Sequence, residues 1–284
     1  MYIVFDIGGT NIRIARSRDM RTFDEPLVVP TPQSFEEGVT KLIELSQSLA
    51  QGEAVTAMAG GVPGPLSAEK TALVGAPHLT DWVGKPLIPR LRSALSAPVH
   101  LENDAALVGL GEAHAGAGMG YKIVAYLTIS TGVGGTRIVQ GKIDPSSKGY
   151  EPGHQIIDHD KSACPECSSG SLEAYVSGSG LESRLHQKPT EVTDLLIWKQ
   201  LAHWLAIGVA NSILHWTPDV VILGGAMMFK RPGIDIADVA GELKEILTIY
   251  PEVPPLVQAT LKDTGGLHGG LALLRQAEVG RTGI

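Results

Sequence analysis

Two short glycine turns constrain this chain more than any other feature. Asp6-Ile7-Gly8-Gly9-Thr10-Asn11-Ile12-Arg13 follows the apolar run Tyr2-Ile3-Val4-Phe5, and Gly132-Val133-Gly134-Gly135-Thr136-Arg137-Ile138 follows a second β-like run, Ile123 to Ile129. A glycine pair lets the backbone turn tightly and bring consecutive N–H groups against an anion, which a Cβ would obstruct. One Gly-Gly turn between strands reads as a hairpin. Two related copies, each followed by Thr and an Arg-Ile or Ile-Arg step, read as an internal duplication in which both halves grip one nucleotide. Asp6 opens the first copy where Gly132 stands in the second. Magnesium is usually held by one or two carboxylates plus phosphate oxygens, so Asp6 is expected to serve a magnesium nucleotide.

With 284 residues the natural prior is two domains of similar size, and a hydrophobic fraction of 43% is enough for buried cores. The net charge of −7 and the lack of a Lys/Arg cluster argue against a nucleic-acid surface. No apolar run approaches the roughly 20 residues that span a bilayer, and the first strand starts at Tyr2, so a cytoplasmic protein without membrane partners is expected. The two cysteines, Cys164 and Cys167, suggest a metal or nothing sooner than a structural disulfide.

Periodicity predicts strands over 2–5 and 11–16, a helix over 34–49 with Ser34 as N-cap, and a strand over 54–58 that ends in a glycine-proline turn. A strand at 99–101 precedes a helix over 105–114. The stretch Gly116-Ala117-Gly118-Met119-Gly120 reads as an interdomain connection. Beyond an irregular segment, 141–171, come helices from Leu172, a long helix over 194–216 whose tryptophans read as packing residues, a buried strand over 220–223 and a final helix over 267–277.

In this order, Asp6-Ile7-Gly8-Gly9-Thr10 with Arg13, Glu102-Asn103-Asp104, Thr131-Gly132-Val133-Gly134-Gly135, Glu151-Pro152-Gly153-His154, Leu172-Glu173-Ala174-Tyr175 and Gly224-Gly225-Ala226 resemble the ROK family of sugar kinases and sugar-responsive repressors. The likeness spans the whole chain. It implies an α/β, two-lobed actin-like ATPase (ribonuclease H-like) fold, with duplicated mixed sheets flanked by helices around a central cleft. The lobes are expected at 1–115 and 116–267, with a C-terminal helix at 268–284 packing back on the first. The resemblance also implies a homodimer.

By the same resemblance, Asp104 takes the proton from the attacking sugar hydroxyl. Asn103 and Asp104 also stand where a helix N-cap belongs, and the roles are compatible because a helix N-terminus favours an ionised carboxylate. Sugar contacts carry over to Asn103, Asp104, Glu151, His154 and Glu173, with Gly61 and Gly64 shaping the wall. His78 stands in that wall where sugar kinases of the family have Asn, leaving the identity of the sugar open. Nucleotide contacts carry over to Asp6, Gly8, Gly9, Thr10, Asn11, Arg13, Thr131, Gly132, Gly134, Gly135, Gly224, Gly225 and Ala226, with Arg137 a further candidate for neutralising phosphate. ATP and magnesium are the implied cofactors.

The family's zinc is held by a His and three cysteines, which map onto His154, Cys164, Glu166 and Ser171; with Cys167 one step beyond Glu166, the good ligands that remain are His154, Cys164 and Cys167. Two readings stay open: a site completed by Glu166 or His159, or a decayed site held by packing. His100, His114, His186, His203, His215 and His268 match no motif and read as surface or packing residues. The resemblance implies ATP-dependent phosphorylation of a hexose or N-acetylhexosamine; the alternatives are a catalytically silent sugar sensor and a polyphosphate-using kinase. A repressor is disfavoured, because such relatives carry a DNA-binding segment ahead of the first loop.

Overall fold

The computed structural model describes residues 1–76 and 79–282. In chain order the elements are strands β1 (Tyr2–Ile7), β2 (Asn11–Ser17) and β3 (Leu27–Pro30), helix α1 (Phe35–Ala50), β4 (Ala57–Val62), α2 (Leu87–Leu95), β5 (Val99–Asn103) and α3 (Asp104–Ala115). There follow β6 (Ile123–Ile129), β7 (Val133–Val139), β8 (Lys142–Ile143), α4 (Leu172–Val176), α5 (Gly178–Leu185), α6 (Leu195–Trp216), β9 (Val220–Gly224), α7 (Ala226–Phe229), α8 (Ile236–Ile246), β10 (Leu256–Gln258) and α9 (Gly265–Thr282). Two compact units result. One holds residues up to Ala115, Pro145–Gly149 and the chain from Asp263 onward; the other holds Gly116–Asp144 and Tyr150–Lys262.

Each unit is built on a five-stranded sheet, with orders β3-β2-β1-β4-β5 and β10-β9-β6-β7-β8. Read from opposite edges these are the same topology. The first three strands of each unit pair antiparallel, and the two later strands join parallel to the first. The duplication expected from the glycine turns is therefore present in the strand connections, but in a different register. Asp6↔Arg13 is the pair before the last at the β1–β2 end, and the matching pair at the β6–β7 end is Thr128↔Gly134. Asp6 thus corresponds to Thr128, not Gly132. Gly134 and Gly135 lie inside β7, and the second turn is Ser130-Thr131-Gly132.

In the first unit the sheet is covered on both faces. Phe35, Val39 and Leu42 of α1 and Leu87, Ile88 and Leu91 of α2 bury one face with Ile3, Phe5 and Ile7, while Leu267, Leu271 and Leu274 of α9 close on Val4, Ala57 and Ala59. Alternation along β1 explains why one strand serves both layers. The second core gathers Leu127 and Ile129 of β6, Val221 and Leu223 of β9 and the buried stripe of α6. Trp198 is buried in it and Trp216 packs against it, as the periodicity implied, and Trp204 is buried with them. Ser34 holds the N-cap position of α1 without a side-chain bond; the Phe35 N–H donates instead to Asp81 at 2.8 Å. Among the described residues no helix is long and apolar enough to cross a membrane.

Helices α3 and α9 meet at glycines. A Cβ on Gly269 would stand 1.8 Å from the Leu107 carbonyl oxygen, and one on Gly111 would stand 2.3 Å from that of Gly265. Both obstacles are backbone, which cannot swing aside. In Gly269→Ala the helical preference for Ala favours the variant by about 1 kcal/mol. Overpacking costs about 1–3 kcal/mol or more, so the overlap wins. We expect a lower midpoint in urea denaturation, with Gly280→Ala, where a Cβ meets nothing within 4 Å, as the control that keeps the helical gain and loses nothing to overlap.

Candidate active site

Strand β1 delivers Asp6 one residue before its end, and the register sets it opposite Arg13 on β2. The turn between them is tied down at its carbonyls. Gly8 O accepts the Thr31 hydroxyl at 2.7 Å, Thr10 O accepts the Thr31 N–H at 2.9 Å, and the Gly8 N–H donates to Asn11 O at 2.9 Å. Among the described residues the amides of Gly9 and Thr10 donate to no protein acceptor. Two successive N–H dipoles are left open to an anion. The Asp6 carboxylate likewise accepts no hydrogen bond among the described residues. Burial pushes its pKa up to about 6, with Arg13 lowering it and Asp263 raising it. Arg13 also pairs with Asp263 at 3.4 Å.

A single carboxyl without protein donors, beside an open pair of amides, is a donor set that suits a hard cation carrying phosphate oxygens. The sequence reading missed the far side of this site. A Cβ on Gly266, at the start of α9, would stand 2.6 Å from the Asp6 carboxyl carbon. Asp263-Thr264-Gly265-Gly266 repeats the acid-then-glycines order of Asp6 to Gly9, and that repetition was the available signal.

Gly61 lies within β4 and not in a turn after it, a correction to the predicted strand end. Its neighbour Gly60 gives room to the Phe5 ring, and a Cβ on Gly61 would stand 3.1 Å from Asp104 Cα and 3.2 Å from Asp6 Oδ1. These glycines serve close packing, which pattern reading mistakes for a turn. Gly64 is a true turn residue at φ 89°, where a Cβ would also strike the Gly75 carbonyl.

Of the two residues that the sequence offered as N-cap, Asn103 takes the capping position. The Asn103 side chain accepts the Ala106 N–H at 3.0 Å and donates to Gly64 O at 3.1 Å, so it caps α3 and fastens the wall. Asp104 is the first helical residue, its Oδ1 accepting the Ala105 N–H at 2.7 Å. The buried Glu102 accepts the Asn103 N–H at 3.2 Å and pairs with Lys70. Lys70 belongs to no motif, and nothing in the sequence marked it.

In the second unit the candidates gather around Val133. The Val133 N–H donates to Glu173 Oε2 at 2.7 Å. Gly153, in the helical turn Pro152–His154, packs so closely that a Cβ would stand 2.2 Å from the Val133 carbonyl oxygen. Glu151, His154 and Glu173 are electrostatically coupled here: partial burial raises the Glu151 pKa, His154 lowers it and Glu173 raises it again. The turn itself repeats the arrangement of the first unit. Ser130 O accepts the Gly178 N–H at 2.7 Å and Thr131 O the Ser179 N–H at 3.1 Å, whereas the amides of Thr131 and Gly132 donate to no protein acceptor among the described residues. Gly225, at φ 92°, lets the β9–α7 junction, Gly224 to Ala226, approach the end of β6 at Ile129. Gly135, expected on the nucleotide, instead makes room for Pro152 and the Tyr126 carbonyl. Arg137 is committed elsewhere, pairing with Asp144 and donating to Trp216 O at 2.9 Å.

The zinc implied for His154, Cys164 and Cys167 does not fit these residues. The two cysteines form a disulfide with Cα atoms 5.4 Å apart, and a bridged sulfur is not the thiolate that zinc requires. Arg184 donates to Cys164 and Cys167 Sγ at 3.5 and 3.3 Å and lies over the Trp204 ring, while His154 is exposed. Ser171, at a family cysteine position, caps α4 by accepting the Ala174 N–H at 3.3 Å. Among the described residues no group of three or more His, Cys, Asp or Glu is placed to hold a metal ion. His78 lies outside the described residues.

Two outcomes follow. Protein isolated without reductant is expected to titrate no free thiol after denaturation and to contain no stoichiometric zinc; one zinc per chain with two titratable thiols would refute the disulfide. The raised Asp6 pKa means that the fold holds this proton more tightly than the unfolded chain does. Stability is therefore lost as pH rises from about 4 through about 6. Metal-free Asp6→Asn should escape that loss and gain roughly 1–3 kcal/mol over wild type at pH 7.5, with a smaller gain at pH 5, in urea denaturation with chelator present.

Comparison with known proteins agrees with this geometry. The ROK family model matches residues 2–277. An N-acetyl-D-glucosamine kinase of Escherichia coli is 30% identical, over 96% of this chain and 99% of its own. A ROK hexokinase from Thermus thermophilus superimposes with a TM-score of 0.82 at 28% identity, covering 98% of this chain and 99% of its own. A ROK family glucokinase from Streptomyces griseus, in complex with glucose and AMPPNP, does so with 0.78 at 24% identity, covering 97% and 99%. The two equivalent mixed sheets flanked by helices are the actin-like ATPase arrangement. This chain belongs to the ROK family.

Proposed function

We propose that this protein is an ATP-dependent hexose kinase, transferring the γ-phosphoryl group of ATP to a hydroxyl of glucose, a related hexose or an N-acetylhexosamine. The observation that carries the reading is the meeting of Asp6, Gly61 and Asp104 at the ends of β1, β4 and β5, where one glycine separates two carboxylate-bearing residues. Ends of parallel strands are where α/β sheets bind ligands. Relatives with sugar kinase activity in their names, and a structural neighbour holding both a sugar and an ATP analogue, support the same reading.

Asp104 is the proposed general base. Its place at the first position of α3 favours the ionised form, and the Asn103 side chain carries the capping duty by accepting the Ala106 N–H. In the proposed step that hydroxyl loses its proton to Asp104 as its oxygen bonds to the γ-phosphorus and ADP leaves. Positioning and charge neutralisation supply most of the acceleration in such transfers, so an unactivated aspartate suffices. The open amide pairs Gly9–Thr10 and Thr131–Gly132 are assigned to phosphate oxygens. Asp6 would hold magnesium, which when bound neutralises charge on the transferred group. Glu151, His154 and Glu173 suit a polyol, since each exchanges hydrogen bonds with neighbouring hydroxyls.

The test is ADP release with magnesium and ATP across a panel of glucose, mannose, fructose, N-acetylglucosamine and N-acetylmannosamine. At least one sugar should stimulate turnover, and Asp104→Asn should lower kcat by about 10²–10⁴-fold while sugar affinity persists. Sugar binding without turnover would favour the silent sensor, and turnover on polyphosphate alone would replace the donor.

A further inference from the structure

At the end of the first unit away from Asp6 and Asp104 lies a cavity of about 380 Å³ lined by Arg21, His114, Ala115, His268, Leu271 and Arg275. Its volume falls within the range of small-ligand pockets. Two guanidinium groups and two imidazoles line it, and no carboxylate does. This concentration of basic side chains stands in a chain of net charge −7.

Among the described residues neither arginine has an ionic partner. Among the described residues Arg21 and Arg275 meet no carboxylate within ion-pair distance, and Arg275 donates only to the Met20 carbonyl. Burial lowers the Arg275 pKa, and the positive charge of Arg21 lowers it further, against the opposing pull of Asp19. Asp19 is spent on its own turn, accepting the N–H groups of Arg21 and Thr22 at 2.8 and 2.9 Å. His268 packs edge-on against Phe23 with centroids 4.9 Å apart, and burial holds its pKa down against the pull of the buried Glu112. Two like charges facing one cavity cost free energy that an anion between them would return, and planar guanidinium forks match the oxygens of a phosphate.

We propose that this cavity binds a small phosphomonoester or phosphate dianion, with Arg21 and Arg275 gripping its oxygens and the imidazoles of His268 and His114 beside it. The site is separate from the one described above. His114 lies ten residues beyond Asp104 on α3, about 15 Å along the axis, and Arg275 lies nine beyond Gly266 on α9.

The test titrates the protein separately with inorganic phosphate and with glucose 6-phosphate, following the ring resonances of His114 and His268, assigned from His114→Gln and His268→Gln. Both resonances should move saturably with at least one probe, and which probe acts distinguishes the free ion from a sugar ester. Arg21→Gln should weaken that response by about tenfold or more, the loss of a charge-assisted contact. Arg21 is exposed and remote from Asp104, so this variant should fold and keep its basal turnover; Arg275→Lys, which retains charge but not the fork, should weaken binding less than Arg275→Gln. Ring resonances that stay still at saturating phosphate, or an unchanged response in Arg21→Gln, would overturn the proposal.

Discussion

A half-buried carboxylate that accepts no hydrogen bond among the described residues is the constraint on which the first unit depends. Asp6 sits at the end of β1 with Gly61 of β4 on one side and Gly266 of α9 on another, and both neighbours are glycine because a Cβ at either would press on the Asp6 side chain or on Asp104. Burial raises the pKa of this acid to about 6, which makes its ionised form a liability in the empty protein. The fold tolerates that cost by placing Arg13 across the strand pair. Strain of this kind is expected where a protein reserves a group for a ligand.

The second unit reaches a related arrangement with different chemistry. Its turn lacks the acid, since Thr128 occupies the position equivalent to Asp6, and the nearest carboxylate is Glu173, which takes up the Val133 amide. That hydrogen bond ties α4 to the turn, and the close packing of Gly153 on Val133 ties in the segment bearing Glu151 and His154. Residues far apart in sequence are thereby held to one short stretch of backbone. The loop from Ile156 to Ser171 is closed behind them by a strand bridge, and a disulfide under Arg184 does the holding that a zinc would do in the family pattern.

Helices α3 and α9 connect the site to the cationic cavity at the other end of the unit. They are glycine-packed, Gly111 lying against the Gly265 carbonyl and Gly269 against that of Leu107, so the two backbones approach closely. His114 and Ala115, at the C-terminal turn of α3, line that cavity immediately before the chain passes to the second unit at Gly116.

Much of this was legible in the sequence, because the features concerned are local. Apolar runs before Gly8 and after Lys122, the amphipathic stripe of α6 and the Asn-Asp start of α3 each fix their element from a few neighbouring residues. The apolar run and Gly-Gly pair also marked the first turn between β1 and β2. What the sequence missed depends on partners distant along the chain. Gly60 and Gly61 read as a turn because only the Phe5 ring and Asp104 reveal them as packing glycines. Gly135 and Arg137 read as phosphate contacts because Pro152, Asp144 and Trp216 O, which occupy them, lie elsewhere in sequence. The offset between the two turns was hidden by a chance likeness of glycines that strand register alone corrects. His114 and His268, unremarkable singly, line one cavity only when α3 and α9 pack side by side. Local order follows from backbone and side-chain preference over a few residues, whereas the role of a glycine, a charge or an imidazole is set by whichever group the tertiary fold brings against it.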